Sequence, residues 1–283
     1  MTLVDTRHVT KRFGALAAAD DVSLQVDRGE VVGLLGANGA GKTTLIRLIL
    51  GLLAPNAGTV RLLGQPPSRR LRARVGYVPQ GLGLWSDLSA RDHLALSAAI
   101  YGATADLDKD IAKVADEPVG LLPLGLRRRL AFSLAVGHEP DVVILDEPTS
   151  GIDALGRARL WDRIRAVADA GAGVLVSTHY MDEAAQCDRA VLLAAGRVVA
   201  AGSVDTLTAG RWALVIRPAN WERAWEALDA AGVPVLPQGR SLRVPDADAG
   251  RVDNVLATAG IDADLSRVPA TLEEVFLVAS SAG

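Results

Sequence analysis

Cysteine, lysine and aromatic residues are all scarce in this sequence of 283 residues. The one cysteine, Cys187, excludes an internal disulfide framework and fits a reducing cytosol. We expect it to be either a small buried hydrophobic residue or a reactive thiol. Among the 30 lysines and arginines, the lysines are limited to Lys11, Lys42, Lys109 and Lys113. A motif that requires lysine at a fixed position therefore rarely arises here by chance.

A strong net charge and a long apolar run are also missing. The formal net charge is -3, so no charge field points to nucleic acid or to anionic lipid. No uncharged stretch is longer than Leu48–Val60, which contains Pro55 and Asn56, whereas a membrane-spanning helix needs about 20 apolar residues. Residues 1–13 lack an apolar signal region, so we expect no signal peptide. With 49% apolar residues, the chain has enough material for a large core, which excludes global disorder.

Short apolar runs alternate with helical patterns along the chain. Strands buried on both faces are predicted at Val31–Leu35, Val142–Leu145 and Val174–Ser177. We expect Val191–Leu193 to be the neighbour of the last of these. Helices are predicted at Lys42–Leu53, ending before Pro55, and at about Ala154–Ala168. This alternation predicts an α/β fold with a parallel sheet covered on both sides.

The rest of the chain divides into three smaller parts. Val4–Val9 and Val22–Val26 are predicted strands at the start, and residues 82–136 are predicted to be a helical insertion between two sheet strands. Residues 211–283 read as a separate α+β unit, in which Asp246 caps one helix and Thr271 to Glu274 has the spacing of a capping box. We therefore predict one domain over residues 1–205 and a second over residues 211–283.

A glycine-rich loop follows the strand Val31–Leu35. It reads Gly36, Ala37, Asn38, Gly39, Ala40, Gly41, Lys42 and Thr43, which matches G-x-x-x-x-G-K-[ST]. Backbone amides of such a loop, together with the following helix N-terminus, converge on phosphate oxygens. Lys42 then reaches the β- and γ-phosphates, Thr43 supplies a hydroxyl ligand to Mg²⁺, and Thr44 completes the predicted nucleotide-binding residues. The alternative is a glycine turn that only connects a strand to a helix.

Two acidic residues follow the apolar run Val142–Leu145. Asp146 stands at the carboxyl end of a buried strand, where ligands bind in open α/β sheets, and it is a candidate Mg²⁺ ligand. Glu147 is the candidate general base that activates water. The alternative is a turn with two solvated acids.

Together these motifs resemble the nucleotide-binding subunits of ABC transporters, over about residues 3–206. The resemblance implies an α/β P-loop ATPase fold, with a RecA-like mixed sheet core, an antiparallel β subdomain and an inserted helical subdomain. It also implies a role at further positions. Those residues are Phe13 and Ala18 beside adenine, Gln80 as a sensor of Mg²⁺ and the attacking water, Ser150 and Asp153 in the loop that crosses a dimer interface, and His179 as a switch that contacts the γ-phosphate.

Each of these positions also has a structural interpretation. Phe13 could be a core aromatic, Gln80 a surface turn residue and His179 a structural histidine. The position of His179, after a buried strand and before a helix, favours the functional interpretation.

The signature motif departs from the family pattern. Where the family carries L-S-G-G, this chain has Leu122, Pro123, Leu124 and Gly125. Proline replaces the serine that would bind the γ-phosphate held by the opposite subunit, a loss of about 1.5–3 kcal/mol. Proline suits the first position of a helix, whose N-terminus still offers the amides of Leu124 and Gly125 to a phosphate. We therefore favour a working signature site over an inactive one.

The Leu-Pro-Leu-Gly form and the series from His179 to Ala184 resemble ABC-2 type exporter ATPases. The resemblance implies ATP and Mg²⁺ as cofactors and a separate ABC-2 permease and a second nucleotide-binding subunit as partners. It also implies a location at the cytoplasmic face of the cell membrane and no nucleic-acid partner. The C-terminal α+β domain resembles the appendage of such ATPases, either stabilising a dimer or sensing a ligand. The helical insertion looks shortened at residues 106–119.

Other functions remain open on the sequence alone. A regulatory subunit with weak hydrolysis is the main alternative, because Pro123 and Leu124 depart from the signature. Soluble ABC ATPases that act on ribosomes or DNA usually carry two nucleotide-binding domains or a coiled-coil insertion, and neither pattern is visible here. Importer ATPases share the core, but the C-terminal domain favours export.

Overall fold

The structure is a computed structural model that describes residues 1–103 and 105–281. The chain divides into two compact units, Met1–Val198 and Val199–Gly283. Among the described helices, none combines the length and the apolar character needed to cross a bilayer.

The first unit contains most of the strands and helices. Its strands are β1 (Thr2–Phe13), β2 (Leu16–Asp27), β3 (Val31–Leu35), β4 (Ala57–Leu62), β5 (Val75–Val78), β6 (Val142–Asp146), β7 (Gly173–Thr178), β8 (Arg189–Ala194) and β9 (Arg197–Gly202), which extends past the division. Its helices are α1 (Lys42–Ile49), α2 (Arg69–Arg72), α3 (Ala90–Tyr101), α4 (Lys109–Ala112), α5 (Leu124–Val136) and α6 (Ala154–Asp169), with 3₁₀ helices at Val119–Leu121 and Met181–Gln186.

The main sheet carries the three strands predicted to be buried on both faces. Its order is β5-β6-β7-β3-β8-β9, and the pairs from β5 to β8 are all parallel. The expectation that Val191–Leu193 neighbours β7 is wrong, because β3 lies between β7 and β8 and pairs with both. Parallel pairing brings the carboxyl ends of β3, β6 and β7 to one edge of the sheet, where the predicted site residues follow each strand.

A separate antiparallel sheet has the order β2-β1-β4. The sequence pattern does not predict its strand β4, since the stretch from Pro55 to Gly58 is interpreted as the stop that ends the preceding helix. The preceding helix α1 stops at Ile49 rather than Leu53, because Gly51 takes a φ of 65° and turns the chain out of the helix. The residues between Gly51 and Ala57 then lead into a strand that pairs with β1.

Both faces of the main sheet are covered. Leu45, Ile46 and Ile49 of α1 pack on one face together with the antiparallel sheet, and Leu160 and Ile164 of α6 pack on the other with α5. Cys187 packs against this second cluster. Burial raises the pKa of its thiol to about 12, which favours the buried hydrophobic role over a reactive thiol.

The segment between β5 and β6 is helical, as predicted. Helices α3 and α5 enclose a small apolar cluster that includes Ile111 and Leu130. Helix α3 begins with a full capping box. The Ser89 side chain accepts a hydrogen bond from the Asp92 amide, and the Asp92 side chain accepts one from the Ser89 amide. Within residues 106–119, where the sequence predicts a shortening, α4 spans a single turn.

The second unit is a βαββαβ arrangement after a short helix. Its elements are α7 (Val204–Thr208), β10 (Trp212–Pro218), α8 (Trp221–Ala230), β11 (Leu236–Gln238), β12 (Ser241–Pro245), α9 (Ala249–Thr258), β13 (Ala263–Pro269) and α10 (Leu272–Ser281). The sheet is antiparallel with the order β11-β12-β10-β13, the ferredoxin-like pattern. Helices α8 and α9 supply Leu228 and Leu256 to its core.

Two expectations for this unit differ from the structure. The apolar residues of Val233–Leu236 predict a strand there, but β11 begins only at Leu236, because Val233 packs into the core beside α8. The cap of α9 is Asp248, which accepts from the Arg251 amide at 2.8 Å, whereas Asp246 accepts from the amide of Trp212. Either aspartate satisfies the sequence pattern of an N-cap, so the choice between them depends on the strand pairing.

A buried ion pair joins β12 to the last helix of this unit. The Glu274 side chain is fully buried and accepts two hydrogen bonds from Arg243 and further ones from Thr271, which confirms part of the predicted capping box. Burial alone would raise the pKa of Glu274, but the hydrogen bonds from Arg243 and Thr271 outweigh burial and lower it.

The substitution Arg243→Met is expected to destabilise the second unit by about 3–5 kcal/mol, because it leaves the Glu274 carboxylate buried without its cation. Urea unfolding, together with hydrogen exchange of the β12 and α10 peptides, measures the loss. Arg240→Met, at an exposed arginine of the same hairpin, is the matched control.

The pH dependence of this stabilisation has a definite sign. Since the folded pKa of Glu274 is lowered, its contribution is complete above the unfolded value of about 4.3 and is lost as the pH falls through the folded pKa. A difference between wild type and Glu274→Gln that stayed constant through this range would contradict the assignment.

Candidate nucleotide-binding and hydrolytic site

The glycine-rich loop lies between β3 and α1, at the carboxyl edge of the main sheet. Gly41 caps α1 with a φ of 105°, and a Cβ at this position would lie 2.1 Å from the carbonyl oxygen of Ala18. Only glycine fits there. Gly36 is similarly confined, since its Cβ would meet the carbonyl oxygen of Leu193 at 2.3 Å. The loop is therefore held close to its neighbours while Ala37, Asn38 and Gly39 stay exposed.

Lys42 is buried at the first position of α1, with 5% of its surface exposed. Its Nζ donates to the carbonyl oxygens of Gly36 at 2.7 Å and Ala37 at 3.2 Å, which holds the ammonium group over the loop. The Gly41 cap contributes no side chain, so the first amides of α1 remain oriented toward the loop. Thr44 follows on the same first turn. This arrangement is typical of an anion-binding site.

Asp146, at the end of β6, joins the loop helix to the neighbouring strand. Its Oδ2 accepts from the Thr43 hydroxyl at 2.9 Å, and its Oδ1 accepts from the Ser177 hydroxyl at 2.6 Å. The carboxylate is 1% exposed, so the alternative of a solvated acid in a turn is excluded for this residue.

The backbone of Glu147 is held in a strained conformation. Its φ is 52°, a left-handed value that non-glycine residues rarely adopt, and such strain persists only where surrounding groups determine it. The Glu147 amide donates to the Ser177 hydroxyl at 3.0 Å, and its carbonyl oxygen accepts from the Arg128 guanidinium at 2.9 Å. Arg128 also donates to the carbonyl oxygen of Pro148 at 3.0 Å.

The side chain of Glu147 is the meeting point of the predicted catalytic residues. One carboxylate oxygen lies 3.4 Å from Lys42 Nζ. The other accepts from Gln80 Nε2 at 3.2 Å and lies 3.5 Å from His179 Nδ1. The side chain is 9% exposed, so a water molecule that enters this cluster would meet a carboxylate with few competing solvent contacts.

Two further predicted residues lie on the β1–β2 hairpin. Phe13 ends β1 with 48% of its surface exposed, which excludes a core role, and Lys11 Nζ lies 5.4 Å from its ring centre. Ala18 on β2 faces Gly41 through its carbonyl group. An exposed aromatic ring offers a stacking surface for a planar base.

The signature stretch forms the start of α5. Pro123 is the N-cap of this helix rather than its first residue, and Leu124 and Gly125 occupy its first turn, whose amides have no intrahelical partner. The Leu124 side chain lies against Gly151, where an added Cβ would contact it at 3.1 Å. Asp153 caps α6 by accepting from the Gly156 amide at 2.7 Å.

The structure adds two site residues that sequence reasoning missed. Ser177 bonds both Asp146 and the Glu147 amide, and its place at the end of a buried strand was a usable signal. Arg128 is one of three consecutive arginines, of which it is the buried one. Burial lowers its pKa, opposed by the charge of Glu147, and nothing in the local sequence separates it from Arg127 or Arg129.

These residues fit a nucleotide with a divalent cation. The loop amides and Lys42 suit phosphate oxygens, and the paired oxygens of Thr43 and Asp146 are the hard ligands that Mg²⁺ prefers. Within residues 1–103 and 105–281, no group of three or more His, Cys, Asp or Glu side chains could hold a metal ion. Since Mg²⁺ usually binds through one or two carboxylates plus substrate phosphates, the two protein ligands suffice only together with the nucleotide.

Comparison with known proteins decides the family. The family profile described as ABC transporter matches residues 19–150. Daunorubicin resistance ATP-binding protein DrrA3 of Streptomyces coeruleorubidus is 37% identical over 300 residues, a match that covers 98% of this chain and 95% of that protein. The chain belongs to the ABC transporter ATP-binding family. Such ATP-binding domains hydrolyse ATP, so the resemblance and the enzyme class predicted from the motifs are confirmed.

Other similar proteins agree with this assignment. Probable multidrug ABC transporter ATP-binding protein YbhF of Escherichia coli (strain K12) is 38% identical over 221 residues; the match covers 74% of this chain, which spans only 38% of that protein. A solved ABC protein, described as the structure of the ATP binding subunit of an ABC transporter, matches with a TM-score of 0.65 and 30% identity over 72% of this chain and 91% of its own. The predicted P-loop ABC ATPase fold is confirmed.

The Arg128→Met variant of this ABC ATPase is expected to lower kcat by about 10- to 100-fold, because the Glu147 backbone loses the donor that holds its carbonyl group. KM for ATP should change little, since Arg128 contacts neither Lys42 nor Thr43. Steady-state ATPase assays measure both constants. Arg129→Met is the matched control, because this neighbour pairs with Asp108 and Asp110 instead. Equal kcat values for the two variants would contradict the positioning role.

Proposed function

We propose that the chain is the ATP-hydrolysing subunit of an ABC-2 type exporter. The observation that carries the proposal is the convergence of Lys42, Gln80 and His179 on the Glu147 carboxylate, beside the Thr43–Asp146 pair. The export direction draws on the names of similar proteins, one a daunorubicin resistance ATP-binding protein that matches nearly the whole chain. None of these relatives supports the alternative of a regulatory subunit with weak hydrolysis.

ATP binding uses the loop first. The amides from Gly36 to Thr43 and the N-terminus of α1 bind the phosphates, and Lys42 exchanges its carbonyl partners for β- and γ-phosphate oxygens. Phe13 stacks on the adenine, with Ala18 beside it. Thr43 and Asp146 hold Mg²⁺, and Gln80 senses it. When bound, Mg²⁺ neutralises charge that develops on the phosphate oxygens.

Hydrolysis then depends on Glu147. Its carboxylate accepts a proton from the water that attacks the γ-phosphate, and Gln80, 3.2 Å away, orients the same water. His179 lies 3.5 Å from the same carboxylate oxygen that accepts from Gln80, and it contacts the γ-phosphate. Because Ser177 and Arg128 fix the Glu147 backbone, the base approaches the phosphate from a constant direction.

A second nucleotide-binding subunit completes each site. The N-terminus of α5, with Pro123, Leu124 and Gly125, faces the ATP held by the opposite subunit and binds its γ-phosphate through amides. Ser150 and Asp153 border the same interface. ATP-driven closure of this dimer drives a separate ABC-2 permease, so the chain is held peripherally at the cytoplasmic face of the membrane.

The first test of this function is a pair of variants. Glu147→Gln is expected to bind MgATP but to lose about 10²- to 10⁴-fold of the hydrolysis rate, because it removes the base. Lys42→Ala is expected to weaken binding itself by about 1.5–3 kcal/mol, since it removes a charge-assisted contact to phosphate. Nucleotide titration and phosphate release with the copurified permease distinguish the two, with the exposed Lys109→Ala as control. Wild-type turnover equal to that of Glu147→Gln would refute the proposal.

The second test concerns the signature loop. A charge-assisted hydrogen bond from the serine would provide roughly 10- to 100-fold. If the amides of Leu124 and Gly125 already bind the γ-phosphate, the double substitution Pro123→Ser and Leu124→Gly should raise kcat by less than this factor. Phosphate release by the purified variant measures this. A larger gain would instead favour a weakly hydrolysing subunit that needs a partner with the serine.

A further inference from the structure

A buried carboxylate lies next to the catalytic cluster without a role in the steps above. Glu183, in the 3₁₀ helix Met181–Gln186, is 2% exposed, and neither of its oxygens has a hydrogen-bond partner among the described residues. Its cationic neighbour is Arg157, whose Nε lies 3.7 Å from Glu183 Oε1. A buried charge is retained in proteins when an opposite charge pairs with it. Arg157 is therefore the residue on which the buried Glu183 carboxylate depends.

Arg157 is held by contacts of both its backbone and its side chain. It lies in the first turn of α6, where its amide donates to the carbonyl oxygen of Asp153 at 2.9 Å. Its guanidinium carbon lies 4.8 Å from the centre of the Tyr180 ring, and one terminal nitrogen lies 3.5 Å from Asp182 Oδ2. The planar guanidinium is thus held between a buried carboxylate and an aromatic face, a geometry that lysine does not reproduce.

The Tyr180 ring in turn contacts the switch histidine. The centres of the Tyr180 and His179 rings are 4.1 Å apart, and the two planes are tilted by 38°. His179 Nδ1 then lies 3.5 Å from the Glu147 carboxylate. A continuous series of contacts therefore leads from Glu183 through Arg157 and Tyr180 to the imidazole that faces the base.

We propose that Arg157 is a positioning residue which, anchored by Glu183, holds Tyr180 against His179 and thereby sets the direction of the imidazole. The proposal rests on the function proposed above for His179 and Glu147. It also places the orientation of His179 under the control of α6, whose cap is Asp153 in the loop expected to face the second subunit.

A spectroscopic test reports on the histidine without any turnover. The chain has four histidines, His8, His93, His138 and His179, so each imidazole resonance is assignable by substitution. In Arg157→Met the Tyr180 ring loses its cation, and we expect the ring-current shift of His179 to change while the other three histidines keep theirs. Arg165→Met is the matched control, because Arg165 also joins α6 to the segment after His179, but through Asp188 and the carbonyl oxygen of Gln186.

A kinetic test separates positioning from structural support. Arg157→Met is expected to lower kcat by about 10- to 100-fold with an unchanged KM for ATP, as a misplaced group does when substrate binding is intact. Arg157→Lys, which keeps the charge without the planar face, should recover only part of kcat. Arg157→Met alone leaves the Glu183 carboxylate buried without its cation and so lowers thermal stability. The double variant Arg157→Met with Glu183→Gln removes that charge, so thermal stability should return while kcat stays low.

Several results would overturn the inference. An unchanged His179 resonance in folded Arg157→Met, a kcat equal to that of Arg165→Met, or a double variant that recovers kcat together with stability would each do so. Failure of the proposed function looks different, because wild type would then hydrolyse ATP no faster than Glu147→Gln. The histidine resonances still show in that case whether Arg157 orients His179.

Discussion

The position of the Asp146 carboxylate determines most of the site. It ends β6 and accepts one hydrogen bond from α1, through Thr43, and one from β7, through Ser177. Three segments that are far apart in the chain therefore meet at one buried acid. The Ser177 hydroxyl also accepts a hydrogen bond from the amide of Glu147, the residue after Asp146. The serine that fixes Asp146 therefore also fixes the strained turn at Glu147. Lys42, Gln80 and His179 meet the Glu147 side chain at that turn.

The sequence predicts those parts of the site that a short stretch of chain determines. The phosphate loop is one contiguous motif after a buried strand, and Asp146 and Glu147 directly follow an apolar run. The roles of Phe13, Ala18, Gln80, Ser150, Asp153 and His179 came only from the family resemblance, and they stay predictions. Of these residues, the structure brings Gln80 and His179 to Glu147.

Contacts between distant segments account for what the sequence did not predict. Strand β4 begins with residues that have the composition of a turn and becomes a strand only through its pairing with β1. The choice between Asp246 and Asp248 as helix cap depends on where β12 ends. Arg128 and Arg157 resemble ordinary surface arginines in the sequence, and only the packing of α5 and α6 against the end of the sheet makes them buried or anchored.

The contact between Leu124 and Gly151 has a consequence for assembly. It joins the first turn of α5 to the loop before α6 inside one subunit, so the two segments that would face a partner's nucleotide already touch each other in the single subunit. A dimer built from such subunits would assemble by the meeting of two preformed surfaces, with little loop ordering on contact. Less conformational entropy is then lost on association, so more of the interaction free energy is kept as affinity between the subunits.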